Sequence, residues 1–337
     1  KNIFNLNILD SITNLGLSRW QGNSPSDCDA LVLTYQQFAS FPEAIQMLIA
    51  NNKTLTIFDE VHHLSENLTW GLAASNCFEN KSHIISMSGT FYRSDASKIF
   101  SVSYSDSGQI LTDFQYTYID GLRDRCLRKI NFNFLDGEQK WKEDELEKTK
   151  NFQDTVSKTD EARVLLTSLT APDNKFIDQM ILLMEKKIKW KEQFQIPRVK
   201  GLCFCIDQAH ARRVAKRITY LTGEKVLTAI SDNLTTAEQL ANFNDSDTKY
   251  CCTVRRLGEG FSAPLINVIC WMTNVREESP FNQGVHRGTR YITGISDFHQ
   301  TTEVILPSNP KLKSFAKTFD LAKERYLKEV ADKKKGK

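Results

Sequence analysis

Two adjacent carboxylates end an apolar stretch early in the chain: Leu55-Thr56-Ile57-Phe58 runs into Asp59-Glu60-Val61-His62-His63. Two acids at a strand end suit hydrolysis of a nucleoside triphosphate. The first, Asp59, would hold Mg²⁺ through its water shell, and Glu60, also at the metal, would orient the water that attacks the γ-phosphate. Far downstream, Arg287 and Arg290 stand three apart in Gln283-Gly284-Val285-His286-Arg287-Gly288-Thr289-Arg290. On a helix that spacing places both guanidiniums on one face, where they could reach one triphosphate. Singly, each is better read as a surface cation. Between these groups lie two glycine-bearing segments, Ser88-Gly89-Thr90 and Gly258-Glu259-Gly260-Phe261-Ser262-Ala263-Pro264. No G-x-x-x-x-G-K-[ST] phosphate loop occurs in the sequence.

Positioning such groups requires strands that end at a common edge. Ala30–Thr34, Leu55–Phe58 and His83–Ser88 read as short apolar strands, and Phe41–Ala50 has helical spacing. Gly201–Ile206, Tyr250–Val254 and Val268–Met272 read as buried strands, with Gln179–Phe194 and Ala209–Leu221 as amphipathic helices, the latter with a basic face. Strands alternating with helices predict an α/β fold of parallel sheets covered on both faces. Glu138–Lys150 is dense in alternating charge and reads as an exposed helical linker or insertion. The expected organisation is a first domain over 1–136, a linker over 137–172, a second domain over 173–308, and a basic helix or tail over 309–337. The Lys-rich end reads either as a phosphate-seeking arm or as a solvated terminus.

Composition fits a globular protein: 337 residues, 40% hydrophobic and 25% charged, with a net charge of +3. That near-neutral balance does not itself call for nucleic acid, though it leaves room for local basic surfaces. No apolar run approaches the roughly 18–20 residues that a membrane span needs. The first residues carry no signal-peptide pattern and no initiator Met, the expectation being a mature or partial chain. The eight cysteines are scattered, without paired CxxC units. Buried free thiols in a reducing, cytoplasmic setting are a better reading than zinc.

Taken in order, these segments resemble superfamily 2 helicases and translocases, specifically the DEAH-like group that includes restriction-type and phage or plasmid helicases. Asp59-Glu60-Val61-His62 is similar to motif II and Ser88-Gly89-Thr90 to motif III; Ser88 through Asp95 resembles that group's TGTPyRxD signature. Phe114–Tyr118 through Arg128 resembles the segment that follows it. Ala30–Gln36 is similar to motif Ib or Ic, Arg255–Pro264 to motif V, and Gln283–Arg290 to motif VI, usually QxxGRxxR. The resemblance spans roughly residues 15–310.

It implies two RecA-like domains with ATP and Mg²⁺ in the cleft between them, the first domain incomplete at its N-terminus because the phosphate loop would lie upstream. Arg287 and Arg290 would be arginine fingers, while His62 and Gln283 would couple nucleotide state to domain closure. Ser88, Gly89, Thr90, Glu259 and Gly260 would lie at the nucleotide. Thr34, Tyr35, Gln36, Arg93, Arg255 and Arg256 would hold a nucleic-acid strand, duplex DNA by the habits of the group, mainly through phosphates. The chain departs from the pattern where Ser262 replaces the Asp of motif V and His286 the Gly of motif VI. Two function classes follow: an ATP-driven motor, or a scaffold that binds nucleic acid or a partner after losing ATP chemistry.

Overall fold

A computed structural model of the chain describes residues 8–9, 29–78, 83–89, 97–137, 139–143, 146–152, 157–194, 198–230, 238–240, 242–254 and 264–335. The chain divides into two compact units, Lys1–Gln115 and Tyr116–Lys337.

In the first unit β1 (Ile8–Leu9) pairs in parallel with β2 (Ala30–Leu31), a shorter strand than the five residues expected. The chain leaves β2 because Thr34 caps α1 (Tyr35–Ser40) instead of extending the strand. Its hydroxyl accepts from the Gln37 amide while the Gln37 side chain accepts from the Thr34 amide. Helix α2 (Pro42–Asn51) follows, with Pro at its start. Then β3 (Leu55–Phe58) lies parallel to β4 (His83–Ser86), with α3 (Thr69–Phe78) between them in sequence. Alternation along β3 and β4 decides what they bury. Phe58 and Ile84 join a core with Phe38, Ile45, Ile49, Ala74 and Phe78, whereas Leu55, Ile57 and Ile85 are exposed. A short antiparallel pair, β5 (Ser103–Tyr104) and β6 (Ile110–Leu111), completes this unit.

The second unit opens with α4 (Tyr118–Arg123) and β7 (Lys129–Leu135). The expected boundary at 136 put β7 in the first domain; it pairs instead with β14 (Thr301–Pro307) at the edge of the second unit's sheet. Next, β8 (Gln139–Glu143) and β9 (Leu146–Lys150) pair in antiparallel fashion, which corrects the expected helical linker. That run lacks the three-to-four spacing of apolar residues that fixes a helix face. In the backbone register Lys142 stands opposite Glu147.

After α5 (Lys158–Thr170) and α6 (Lys175–Glu192) come β10 (Lys200–Cys205), α7 (Gln208–Thr222), β11 (Val226–Ala229), β12 (Tyr250–Thr253), β13 (Ile266–Met272), α8 (Glu278–His286), β14, and α9 (Pro310–Lys335). The six strands form one all-parallel sheet in the order β11-β12-β10-β13-β14-β7. Alternating residues serve opposite faces. Cys203, Cys205, Cys270 and Met272 pack with Leu165, Met180 and Val214 of α5, α6 and α7. Leu202, Phe204 and Trp271 pack with Phe281, Val285, Leu312 and Phe315 of α8 and α9. The expected α/β architecture is met, with helices on both faces. Helix α9 is more than a solvated tail, since its first half buries Leu312, Ala316 and Phe319. Cysteines 77, 203, 205, 251, 252 and 270 are free and buried. Among the described residues no helix is long and apolar enough to cross a membrane.

Candidate active site

The acidic turn is made by two hydrogen bonds that outlast the strand pair. Met87 donates its amide to the Phe58 carbonyl at 2.8 Å, and Val61 donates to the Met87 carbonyl at 2.9 Å. Asp59 and Glu60 are therefore pushed out between two anchored neighbours. Glu60 takes the left-handed backbone conformation (φ 50°), which is uncommon for a residue with a side chain. Its amide donates to Asp59 Oδ1 at 3.1 Å, and the chain enters a 3₁₀ turn over Val61–His63 whose Val61 and Leu64 side chains are buried. Buried apolar residues on one side and β4 on the other hold the acids at the surface.

Three of the expected residues meet here. His62 Nδ1 lies 2.9 Å from Ser88 Oγ and 3.3 Å from Glu60 Oε2, and Ser88 Oγ lies 3.5 Å from the same carboxylate oxygen. The His62 side chain is 13% exposed and that of Glu60 31%, so the imidazole is held inside while the carboxylate reaches solvent. Beside them, a Cβ on Gly89 would meet nothing within 4 Å. Asp59 is exposed and offers hard oxygen donors, which fits Mg²⁺ held through one carboxylate and its waters. Among the described residues, no group of three or more His, Cys, Asp or Glu side chains could cage a metal.

Of the strand-contact candidates, Thr34 and Gln36 are exposed, the Thr34 hydroxyl being engaged as the α1 cap. Tyr35 points elsewhere. Its ring stacks on Phe58 and Trp70, and its hydroxyl donates to the Asp59 carbonyl at 2.5 Å. It therefore supports the acidic turn from behind, a role that adjacency in sequence does not suggest. Thr90, Arg93, Arg255, Arg256, Glu259 and Gly260, with the variant Ser262, lie outside the described residues.

In the second unit, α8 ends at His286, and Arg287 is its cap. The next amides close i→i+3 bonds: Arg287 to Gly284, Gly288 to Val285 and Thr289 to His286. Arg290 then forms an extended bridge with Leu127. The expected single helical face for Arg287 and Arg290 is thus corrected: one sits at the cap and the other beyond it. Close packing enforces the break. A Cβ at Gly288 would come within 2.7 Å of Thr302 Cγ2 and 3.0 Å of Ile269 Cδ1, so the turn lies tight against the sheet. Gln283 is half-buried on α8, and Arg290 is exposed.

His286 turns inward rather than towards the arginines. Its ring packs edge-on against Phe319 and Tyr118, and its Nδ1 lies 3.3 Å from Thr289 Oγ1. Burial, then the nearby Arg287 charge, lowers its pKa to about 4, so the ring is neutral at pH 7. The departure from Gly at this position is absorbed by an aromatic corner from α4 and α9. A further residue sits behind the turn and was missed from sequence: Arg128, buried, at the entry to β7. In sequence it stood merely at the end of the family-like segment that begins at Phe114, with no role attached.

Residues 10–93 match the family described as Type III restriction enzyme, res subunit, a span that includes the acidic turn and Ser88-Gly89. Uncharacterized protein Rv2917 of Mycobacterium tuberculosis (strain ATCC 25618 / H37Rv) is 26% identical over 302 residues, covering 88% of this chain and 49% of that protein. Uncharacterized protein ML1624 of Mycobacterium leprae (strain TN) is 25% identical over 304 residues, 88% of this chain and 50% of its own length. The chain thus spans about half the length of these curated relatives. Among solved structures, a fragment assigned to the HsdR subunit of a type I restriction enzyme from Vibrio vulnificus YJ016 aligns with TM-score 0.56 at 18% identity, over 92% of this chain and 54% of that one. The ATP-dependent Type ISP restriction-modification enzyme LlaBIII bound to DNA aligns with TM-score 0.50 at 13% identity, over 84% of this chain and 20% of that one. These likenesses are of fold.

Proposed function

Because the chain resembles superfamily 2 helicases in its ordered motifs and its RecA-like fold, we propose that it is the motor core of an ATP-dependent nucleic-acid helicase or translocase. The observation that carries this reading is the contact of Glu60, His62 and Ser88 at the end of β3 and β4. A carboxylate that polarises water needs a fixed orientation, and a half-buried imidazole bonded to a hydroxyl of the neighbouring strand supplies one. Asp59 would hold Mg²⁺, which when bound neutralises phosphate charge. Glu60 would orient the attacking water, and Arg287 and Arg290 would stabilise γ-phosphate charge. Loss of such an arginine finger typically costs about 10³–10⁵ in turnover. The track is nucleic acid, with duplex DNA the first candidate, in a cytoplasmic setting.

A second reading, a binding scaffold without ATP chemistry, is favoured by Ser262 in the motif V segment, where the resembling group has Asp. Against it stands the cost of gathering Asp59 and Glu60 on a left-handed turn, a strain of about 1–3 kcal/mol that a scaffold has no use for. Turnover of ATP by this chain, with and without duplex DNA and beside Glu60→Gln, separates the two. In a form that also carries a phosphate loop, the motor predicts DNA-stimulated hydrolysis that Glu60→Gln abolishes while nucleotide is still bound. Salt-sensitive DNA binding with no turnover, persisting in a form that also carries a phosphate loop, would establish the scaffold.

A further inference from the structure

Arg128 is 1% exposed, yet none of its hydrogen-bond partners is a carboxylate. Its Nη1 donates to Asn267 Oδ1. Its Nη2 serves the carbonyls of Pro264 at 3.1 Å and Ile266 at 2.6 Å, and that of Gly288. The Gly288 carbonyl also accepts from Thr302 Oγ1. The Arg128 amide donates to the Thr289 carbonyl at 2.6 Å, and its own carbonyl accepts from the Tyr118 hydroxyl at 3.0 Å. One planar fork therefore joins three backbone segments: the start of β7, the entry to β13, and the turn between Arg287 and Arg290.

Burying a guanidinium among neutral carbonyls is costly, and burial lowers its pKa to about 9. An apolar side chain of similar volume would avoid that cost but strand several carbonyls, which only a multidentate donor can satisfy together. The segments it joins are telling. Pro264 ends the segment that resembles motif V in sequence, and Gly288 lies between the two arginines of the motif VI segment.

We infer that Arg128 is a positioning residue, whose guanidinium locks the turn bearing Arg287 and Arg290 to the entry of β13 at Pro264–Asn267, so that the turn and this strand entry shift as one piece. The inference rests on the motor reading for its functional meaning, but its mechanical content is independent of it. Without the guanidinium, the Gly288 carbonyl keeps Thr302 alone among the described residues, and the turn, still tied to the start of β7 through its backbone, loses its side-chain link to β13.

Hydrogen exchange on wild type, Arg128→Lys and Arg128→Met tests the lock without requiring turnover. In Arg128→Met, amides of 286–291 and 265–268 should exchange about tenfold faster, while those of 176–190 and 200–205 stay within about twofold. Arg128→Lys, which can bond only part of the carbonyl set, should fall between, and it carries the test should the Met variant not fold. Uniform acceleration across the unit, or no change at 286–291, would overturn the inference. In a form that hydrolyses ATP, Arg128→Met should lower kcat about tenfold with KM for ATP nearly constant. Adding it to Arg287→Ala should then cost little more, because both act through one group. Fully multiplicative losses would also overturn it. Absence of turnover in a wild-type form that carries a phosphate loop would count against the motor and leave the exchange result standing.

Discussion

Replacing Ser88 by Ala removes one oxygen from the cluster behind the acidic turn. Its 3.5 Å approach to Glu60 is at the outer limit of a hydrogen bond and contributes little, whereas the 2.9 Å contact with His62 is well formed. The loss therefore concerns His62. A net intramolecular hydrogen bond is worth about 0.5–1.5 kcal/mol. Glu60 Oε2, already 3.3 Å from the same ring nitrogen, takes over part of it. An effect of about 1 kcal/mol on the first unit follows, which lowers the urea midpoint by roughly 0.5 M at an m-value near 2 kcal/mol/M. The decisive assay is a double-mutant cycle with His62→Ala, read by urea unfolding of the chain itself. The coupling energy should be about 1 kcal/mol, well above the roughly 0.3–0.5 kcal/mol within which independent sites add. If the cycle closes below about 0.3 kcal/mol, Ser88 and His62 are merely neighbours and the proposed bracing of Glu60 fails. If the bracing holds and the chain is a motor, the same 1 kcal/mol appears as about a fivefold loss in kcat.

Tyr35→Phe keeps the ring stacked on Phe58 and Trp70 but deletes the bond to the Asp59 carbonyl. Mg²⁺-dependent turnover should fall several-fold with nucleic-acid affinity nearly unchanged; a larger loss of affinity than of turnover would return Tyr35 to the strand-contact group. A pH effect is expected at His210, whose Nδ1 accepts from the Ile206 amide and whose Nε2 faces the Leu169 carbonyl, fixing a neutral ring. Burial, then Arg213, lowers its pKa to about 4, so the unfolded chain takes up a proton below pH 6.5 that the fold refuses. Its contribution, present in full above pH 6.5, should disappear towards pH 4, a loss of about 3 kcal/mol. Urea unfolding of His210→Gln should show a shallower acid slope, by about one proton, than wild type. Parallel slopes would refute it.

Local signals carried the sequence reading where strand, turn and side chain are neighbours. Leu55–Phe58 followed by Asp59-Glu60 announces a strand end bearing two acids, and Ser88 beside them follows from the next strand being parallel. What was not legible depends on distant partners. Arg287 and Arg290 have helical spacing, but the helix stops because Gly288 must lie against Thr302 and Ile269 of the sheet. Arg128 meets Gly288 from 160 residues away, a pairing no window along the chain reports. Tyr35 was read through its neighbours Thr34 and Gln36, though its hydroxyl answers to Asp59. The charged strand pair of β8 and β9 misled for another reason: without an apolar period, charge alternation fits a strand as well as a helix.

The pairing of β7 with β14 bears on how the protein is made. Asn131 and Glu303, bonded across these two strands, are 172 residues apart in the chain. At ribosomal rates of about 5–20 residues per second, β7 waits roughly ten to thirty-five seconds for its partner to be synthesised. During that interval Ile130, Phe132 and Phe134 belong to a strand whose β14 side has no mate. Such a nascent edge is open to pairing with other chains. Expression of this unit should therefore depend on translation speed and chaperone supply, and any truncation ahead of residue 301 leaves β7 permanently orphaned.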